Sequence, residues 1–269
     1  MRSGQFRMFR SRAIGIEAVR AETDYSFPKH THDQFGIGVI DAGAQESLSG
    51  RGMVRAEAGD VICFNPNEVH DGMPIGESRA WTMLHFDPPV IGGLLNDIGE
   101  GKVAGAEFPL PVIRNDRMAA CFAMLFPLVI DNSTPWDRLF QEELLLSLVA
   151  AAMSEGVPPP RDVAVPAAIG RARELIDDDP AASLTLAELA AVCGLSHFQF
   201  LRGFSKAMGL TPHAYLLQRR IHEARRLIAA GTSLAEVAFA SGFADQSHMT
   251  RHFVRNFGIT PGVYAAAVC

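Results

Sequence analysis

The last 85 residues of this 269-residue chain carry one pattern twice. The first copy, LAELAAVCGLSHFQFLRGFSKAMGLTP, runs from Leu186 to Pro212, and the second, LAEVAFASGFADQSHMTRHFVRNFGITP, from Leu234 to Pro261. The first halves align at an offset of 48, pairing Leu186 with Leu234, Glu188 with Glu236 and Gly194 with Gly242. The second halves align at 49, pairing Arg202 with Arg251, Phe204 with Phe253, Gly209 with Gly258 and Pro212 with Pro261. The extra residue falls just after the glycine, where a turn tolerates it. Each copy opens with an Ala-rich amphipathic run. Gly194 and Gly242 then stand where a helix end favours a left-handed residue. Ser196 and Asp245 follow as N-caps, because their side-chain oxygens can accept the free N–H groups of a next helix. Two helices joined by a short Gly-containing turn form a helix-turn-helix.

Rotated at 3.6 residues per turn, Phe200 and Phe204 share one face of the second helix, as Met249 and Phe253 do in the other copy. Those faces bury. Arg202 and Arg251 project roughly opposite. Phe198, Ser205 and Lys206 flank Arg202, and Ser247, Val254 and Arg255 flank Arg251. Arg, Gln, Ser and Thr can read base edges in the major groove, and the N-terminal part of a recognition helix reaches them. Between the copies, His213 to Gly231 reads as a helix started by Pro212 and ended by Gly231. About 18 residues make a rod of roughly 27 Å, close to the ~34 Å between successive major grooves on one face of DNA. Arg219, Arg220, Arg225 and Arg226 decorate it, available either to phosphates or to acids such as Glu223.

Residues 167–266 resemble the DNA-binding domain of the AraC/XylS family of bacterial transcription regulators. The resemblance is carried by GLSHFQFLRGFSKAMGLTPHAYLLQRR, HEARRLIAAG and EVAFASGFADQSHMTRHFVRNFGITPGVY. It implies seven helices, with two recognition helices in adjacent major grooves of double-stranded promoter DNA. By position it makes His197, Phe198, Leu201 and Arg202, with Lys206 beside them, the DNA-facing residues of the first unit. In the second they are Gln246, Ser247, His248, Thr250 and Arg251. Leu201 offers only apolar contact, and Gly203 inside the helix costs about 1 kcal/mol against Ala.

Net charge is −6, unusual for a DNA binder, but residues 1–160 hold 13 basic and 21 acidic residues while residues 161–269 hold 11 and 9. The basic excess lies with the duplicated units, so DNA affinity should be local and salt-sensitive. Hydrophobic content of 48% and charged content of 20% fit a globular chain. Cys63, Cys121, Cys193 and Cys269 show no paired spacing, pointing to buried thiols in a reducing cytoplasm. The N-terminus lacks the apolar core of a secretory signal, and no apolar run is long enough to span a membrane.

From Phe35 to Phe86, short apolar stretches alternate with Gly, Pro, Asn and Asp. FGIGVI, VICFN and WTMLHFD read as strands of a small barrel or jelly roll. After Asn115 the texture turns helical, over about 116–154 with a break at Asn132–Pro135. VPPPRDVAVP, residues 157–166, is a linker, since consecutive prolines cannot continue a helix. The expected class is therefore α+β and multidomain: a barrel with trailing helices over 1–156, then an all-α domain over 167–269. Within the latter, the helix-turn-helix units cover about 185–208 and 234–257, with the linking helix at about 212–230.

HTHDQF…GDVICFNPNEVHDG resembles the cupin barrel that serves as effector domain in AraC-type regulators, with His30 and His32 in its first motif and Gly59, Pro66 and His70 in its second. His30 and His32 should point to one face of a strand, and His85 shares a face with Trp81 and Met83. His30, His32, His70, Trp81, Met83 and His85 are thus candidates for an effector pocket. His30, His32 and His70 are candidates for a divalent metal such as Zn, Fe, Ni or Cu. Gly36 and Ile37 stand where a metal-binding cupin places a carboxylate. Either the imidazoles line a pocket for an organic ligand, or they hold a metal. Leu139, Leu144, Leu145, Leu146, Leu148 and Val149 exceed one packed stripe, so the helices form either a dimer interface or a cover for the barrel.

The expected function is a cytoplasmic transcription regulator controlled by a small-molecule effector, not an enzyme. The resemblance further implies a homodimeric activator that works with RNA polymerase. Two other readings stay open: a cupin metalloenzyme with a DNA-binding appendage, and a ligand-independent dimeric regulator.

Overall fold

Short stretches of alternating apolar and small residues give the N-terminal unit eight strands among the described residues. They are β1 (Gln5–Phe9), β2 (Ile16–Thr23), β3 (Phe27–His30), β4 (Phe35–Ser49), β5 (Gly52–Glu57), β6 (Val61–Phe64), β7 (His70–Phe86) and β8 (Val112–Ile113). Helices α1 (Pro88–Ile98), α2 (Asp116–Ile130) and α3 (Asp137–Ser154) complete it. The structure is a computed structural model that describes residues 4–9, 11, 15–98, 107–130, 137–155 and 166–268. The chain divides into two compact units, Met1–Pro159 and Pro160–Ala267. The expected linker at 157–166 and the expected break at Asn132–Pro135 fall almost wholly outside the described residues.

All strand pairs are antiparallel, in the order β1-β2-β7-β4-β6-β8, with β3 added to β7 and β5 to β4. The two long strands, β4 and β7, are each bent and shared between neighbours. The bend lies at register shifts between Ile40 and Ala44. Gly43 sits there at φ 73°, where an added Cβ would lie 2.4 Å from the Ser78 carbonyl oxygen, so only glycine fits this bulge. Sequence periodicity found the start of β4, β6 and the end of β7 but missed the rest of the long strands and β1, β2, β5 and β8; charged residues on the exposed faces of β2 and β5 obscure their alternation.

Because side chains alternate across a strand, the sheet has two apolar faces. Ile16 and Ala18, Phe35 and Ile37, Val61 and Cys63, and Leu84 and Phe86 turn toward the helices. There they form one core with Ile91 and Leu95 of α1, Met118, Phe122, Leu125 and Val129 of α2, and Leu148 and Val149 of α3. Leu144 and Leu145 join the same core. Four of the six surplus apolar residues of α3 are thus consumed within its own unit, while Leu146 is half-buried. The Leu139 side chain lies outside the described set.

The C-terminal unit holds seven helices among the described residues, the number the sequence resemblance implies: α4 (Ala167–Asp178), α5 (Leu186–Cys193), α6 (His197–Met208), α7 (Pro212–Ala229), α8 (Leu234–Ala240), α9 (Gln246–Phe257) and α10 (Pro261–Val268). The duplication extends to the caps. Thr185 and Glu188 form a reciprocal capping box at α5, and Ser233 accepts the Glu236 N–H at α8. Thr211 and Thr260 precede prolines at the starts of α7 and α10, and each hydroxyl accepts a backbone N–H at 3.2 Å. Phe200, Phe204, Met249 and Phe253 are fully buried. Among the described residues, no helix is long and apolar enough to cross a membrane.

Candidate functional sites

The recognition elements of the C-terminal unit are α6 and α9. Ser196 accepts the Gln199 N–H, and Gln199 returns the bond to the Ser196 N–H at 3.1 Å. Asp245 Oδ1 accepts the His248 N–H at 2.6 Å. Gly209 and Gly258 end the two helices at φ 73° and 72°. Two helices of equal length, capped alike at both ends, thus present equivalent positions. His197, Leu201, Arg202 and Lys206 on α6 and Gln246, Ser247 and Arg251 on α9 are exposed. Thr250 is half-buried, and the Phe198 side chain lies outside the described set.

His248 departs from a free base-reading side chain. Its Nε2 lies 3.1 Å from Nε2 of His252, and both rings lean on buried Phe243, at 5.4 and 6.0 Å. Burial, then the neighbouring His248, Arg255, His213 and Arg251, hold the His252 pKa below the usual imidazole range. Gly203 sits near Ile169 of α4, where an added Cβ would make ordinary contact at 3.4 Å.

The arginines of α7 are employed inside the fold. Arg219 pairs with Asp177 at 3.0 Å. Arg220 donates to the carbonyls of Pro180 and Ala182 at 2.7 and 3.0 Å. Arg225 is 8% exposed and donates to the Tyr264 hydroxyl at 3.3 Å. Arg226 is clasped by Glu223. Of the two expected roles, pairing with acids holds for Arg219 and Arg226, the latter with the expected Glu223 on an exposed side chain; Arg219, Arg220 and Arg225 are turned inward and tie α7 to α4, to the chain at Pro180–Ala182 and to α10.

In the N-terminal unit the second face of the sheet carries the histidines. Strand register sets His85 beside Gly36 and Phe64, Met83 beside Gly38 and Ile62, and Trp81 beside Ile40. His30 and His70 are a direct cross-strand pair on β3 and β7, with ring centroids 4.4 Å apart. Strand β3 ends at His30, so His32 arrives from the turn beyond it rather than by strand alternation. Its backbone carbonyl accepts the Asn67 N–H at 2.6 Å. The His32 ring lies 5.0 Å from His30, 5.2 Å from His70 and 5.3 Å from His85. One ligand atom from each of His30, His32 and His70 falls within 4.8 Å of the others.

Nδ1 of His30 lies 2.7 Å from the Pro28 carbonyl and Nδ1 of His70 lies 2.9 Å from the Glu68 carbonyl. A carbonyl only accepts, so both Nδ1 atoms carry a proton, which in a neutral ring leaves the lone pair on Nε2. Burial lowers the His70 pKa to about 4, against the raising effect of that carbonyl. The imidazole is therefore neutral near pH 7.

Three residues of this wall were not singled out from the sequence. Phe64 stacks on His32 and His70, each at 4.9 Å. Phe27 meets Trp81 edge-on at 6.1 Å. Arg79, 2% exposed, lies over Trp81 at 4.9 Å and donates to Gln45 Oε1 at 2.9 Å and to the carbonyls of Tyr25 and Gly72. Burial lowers its pKa to about 10, leaving it charged. Arg79 shares the strand parity of Trp81, Met83 and His85, which is the signal that could have found it. Asp33 and Asp71 adjoin His32 and His70 in sequence, and Asp71 accepts the Leu48 N–H at 2.6 Å; Glu68, two residues before His70, accepts the Gly50 N–H at 2.8 Å and the Asn65 side-chain amide at 3.0 Å. Of the thiols expected to be buried, Cys63 and Cys193 are, and burial pushes both pKa values up, whereas Cys121 is only half-buried.

Comparison with known proteins matches both units. Residues 13–149 match the AraC-like ligand binding domain family, and residues 189–267 match a helix-turn-helix domain family. YbfI, an HTH-type transcriptional regulator of Bacillus subtilis (strain 168), is 29% identical over 247 residues, covering 88% of this chain and 86% of that protein. The transcriptional activator NphR of Rhodococcus sp is 39% identical, but over only 31% of this chain and 25% of that protein. Two structures of ToxT from Vibrio cholerae share the fold along the whole chain. One, from O395, has a TM-score of 0.56 at 13% identity, covering 100% of this chain and 99% of that one. The other, bound to an unsaturated fatty acid, has a TM-score of 0.55 at 14% identity, covering 100% and 96%. With a ligand-binding domain ahead of a duplicated helix-turn-helix domain, the chain belongs to the AraC family of DNA-binding transcription regulators.

Proposed function

We propose that this regulator reads promoter DNA with α6 and α9 in two neighbouring major grooves, and that a small molecule on the histidine-lined face of the sheet controls it. The observation that carries the reading is the equivalence of Arg202 and Arg251. Both are exposed on capped helices, and both lie opposite a fully buried aromatic face. His197, Leu201 and Lys206 in the first unit and Gln246, Ser247 and Thr250 in the second complete the reading surfaces, and Phe198 belongs with them by sequence position. The first surface has the apolar Leu201, 38% exposed, suited to a thymine methyl.

The direction of regulation is activation, through contact with RNA polymerase. Phe239 on α8, 86% exposed, is the apolar surface feature that supports a protein contact beside the second unit. A homodimer is the working assembly. Met124 and Phe140, 49% and 46% exposed on α2 and α3, are the apolar side chains left over for it. Sedimentation and in vitro transcription from the bound promoter test these two points.

Footprinting on genomic DNA tests the reading as a whole. The expected footprint covers two protected patches one helical turn apart. Arg251→Ala should weaken operator binding by about 1–3 kcal/mol, roughly 5- to 150-fold, without changing the melting temperature. Protection of a single half-turn, or unchanged binding by the variant, overturns it.

A further inference from the structure

We propose that His30, His32 and His70 bind one divalent late first-row transition metal, and that the ion holds an anionic effector at its open coordination position. The proposal rests on the effector-pocket reading above and gives that pocket its chemistry.

The tautomers come first. Metal-ligating histidines almost always donate their second ring N–H to a carbonyl or carboxylate, which fixes the ring and directs the other nitrogen at the ion. His30 and His70 both do so, through the backbone carbonyls of Pro28 and Glu68. Each carbonyl lies two residues before its histidine, so the orientation is set locally in the chain. Strand pairing of β3 with β7 then makes the two rings neighbours, with centroids 4.4 Å apart. His32, 7% exposed, closes the third side. Ligands about 2.0–2.1 Å from a tetrahedral ion stand roughly 3.4 Å apart. The three donor atoms lie within 4.8 Å of one another, so small ring rotations bring them onto one ion.

Among the described residues, the cluster that could hold an ion is His30, His32 and His70, with no carboxylate in it. An added Cβ on Gly36 would lie 2.1 Å from Cζ of Phe64, so the aromatic ring fills the position from which a carboxylate could approach. Glu68 is spent on the Gly50 and Asn65 amides. Three neutral imidazoles select Zn, Co, Ni or Cu over Mg or Ca. They also leave the ion its full double charge. Three protein ligands leave a fourth position open, and the uncompensated charge favours an oxygen anion such as a carboxylate there. Arg79 on the same strand face adds a second fixed positive charge.

The test uses the untagged full-length protein, stripped with chelator and titrated with Co²⁺ and then Zn²⁺. One equivalent of Co²⁺ should bind with the visible absorption of a low-symmetry nitrogen site. Zn²⁺ should displace it and raise the melting temperature, and acetate should shift the Co²⁺ spectrum. His32→Ala and His70→Gln should each lower affinity by at least about tenfold, while both variants keep the circular dichroism spectrum of the metal-free parent, which separates a lost ligand from a lost fold. Failure to bind Co²⁺, or stoichiometric binding retained in the double variant, overturns the site. A spectrum unmoved by acetate overturns the anion position. If the metal results fail while operator binding is intact, only this proposal falls. If the wild-type protein binds no operator, the regulatory reading falls instead.

Discussion

Phe64 occupies the space that any side chain on Gly36 would need. The two residues are direct partners across β4 and β6, and the ring covers the glycine so closely that an added Cβ would lie 2.1 Å from it. Gly36→Ala should therefore cost about 1–3 kcal/mol as an overpacked position. Phe64→Leu in the same chain should recover most of that loss. Urea denaturation of the two single variants and the double variant measures the coupling. Additive effects would mean that the ring moves aside freely.

The cap of α9 rests on Asp245. Its carboxylate accepts the His248 N–H at 2.6 Å. Asp245→Ala should lower stability by about 1 kcal/mol, and Asp245→Asn by only a few tenths. Operator affinity should fall with the alanine variant, because the first turn of α9 carries Gln246 and Ser247. A thermal melt and a gel shift on the same preparations check both effects.

Adjacent arginines on α7 should behave in opposite ways. Arg225 is buried with the Tyr264 hydroxyl as partner, whereas Arg226 is exposed and paired with Glu223. Arg225→Ala should cost roughly 2–4 kcal/mol, through lost packing and orphaned polar groups. Arg226→Ala should change stability by less than about 1 kcal/mol. Neither should alter the salt dependence of DNA binding, since Arg225 is buried and Arg226 is held by Glu223. A shallower salt slope for Arg226→Ala would contradict that assignment.

The His252 pKa is lowered by burial first and by its cationic neighbours second. A lowered pKa means that the unfolded chain takes up protons more readily. The stability held by the neutral ring is therefore complete above about pH 6.5 and is lost as the pH falls below it. Melting temperatures at about pH 7.5 and 5.5 should differ less for His252→Gln than for the natural chain. An equal difference would mean that this ring does not contribute.

What the sequence determined by itself is the local grammar of the C-terminal half. The duplicated glycines, caps and aromatic spacings act within a few residues of one another. Ser196, Asp245, Phe200 and Phe253 could accordingly be assigned before any packing was known, although the Thr185–Glu188 box was legible and overlooked. Tertiary structure decided the rest. Nothing in RRIHEARR distinguishes the buried Arg225 from the exposed Arg226, because burial depends on what α4 and α10 bring alongside. The leucines of α3 read as surplus until α1, α2 and the sheet supply the core that takes them. His30 and His70 are 40 residues apart in sequence. Only the register of β3 on β7 makes them neighbours, because strand pairing is a non-local choice that no short stretch of chain encodes.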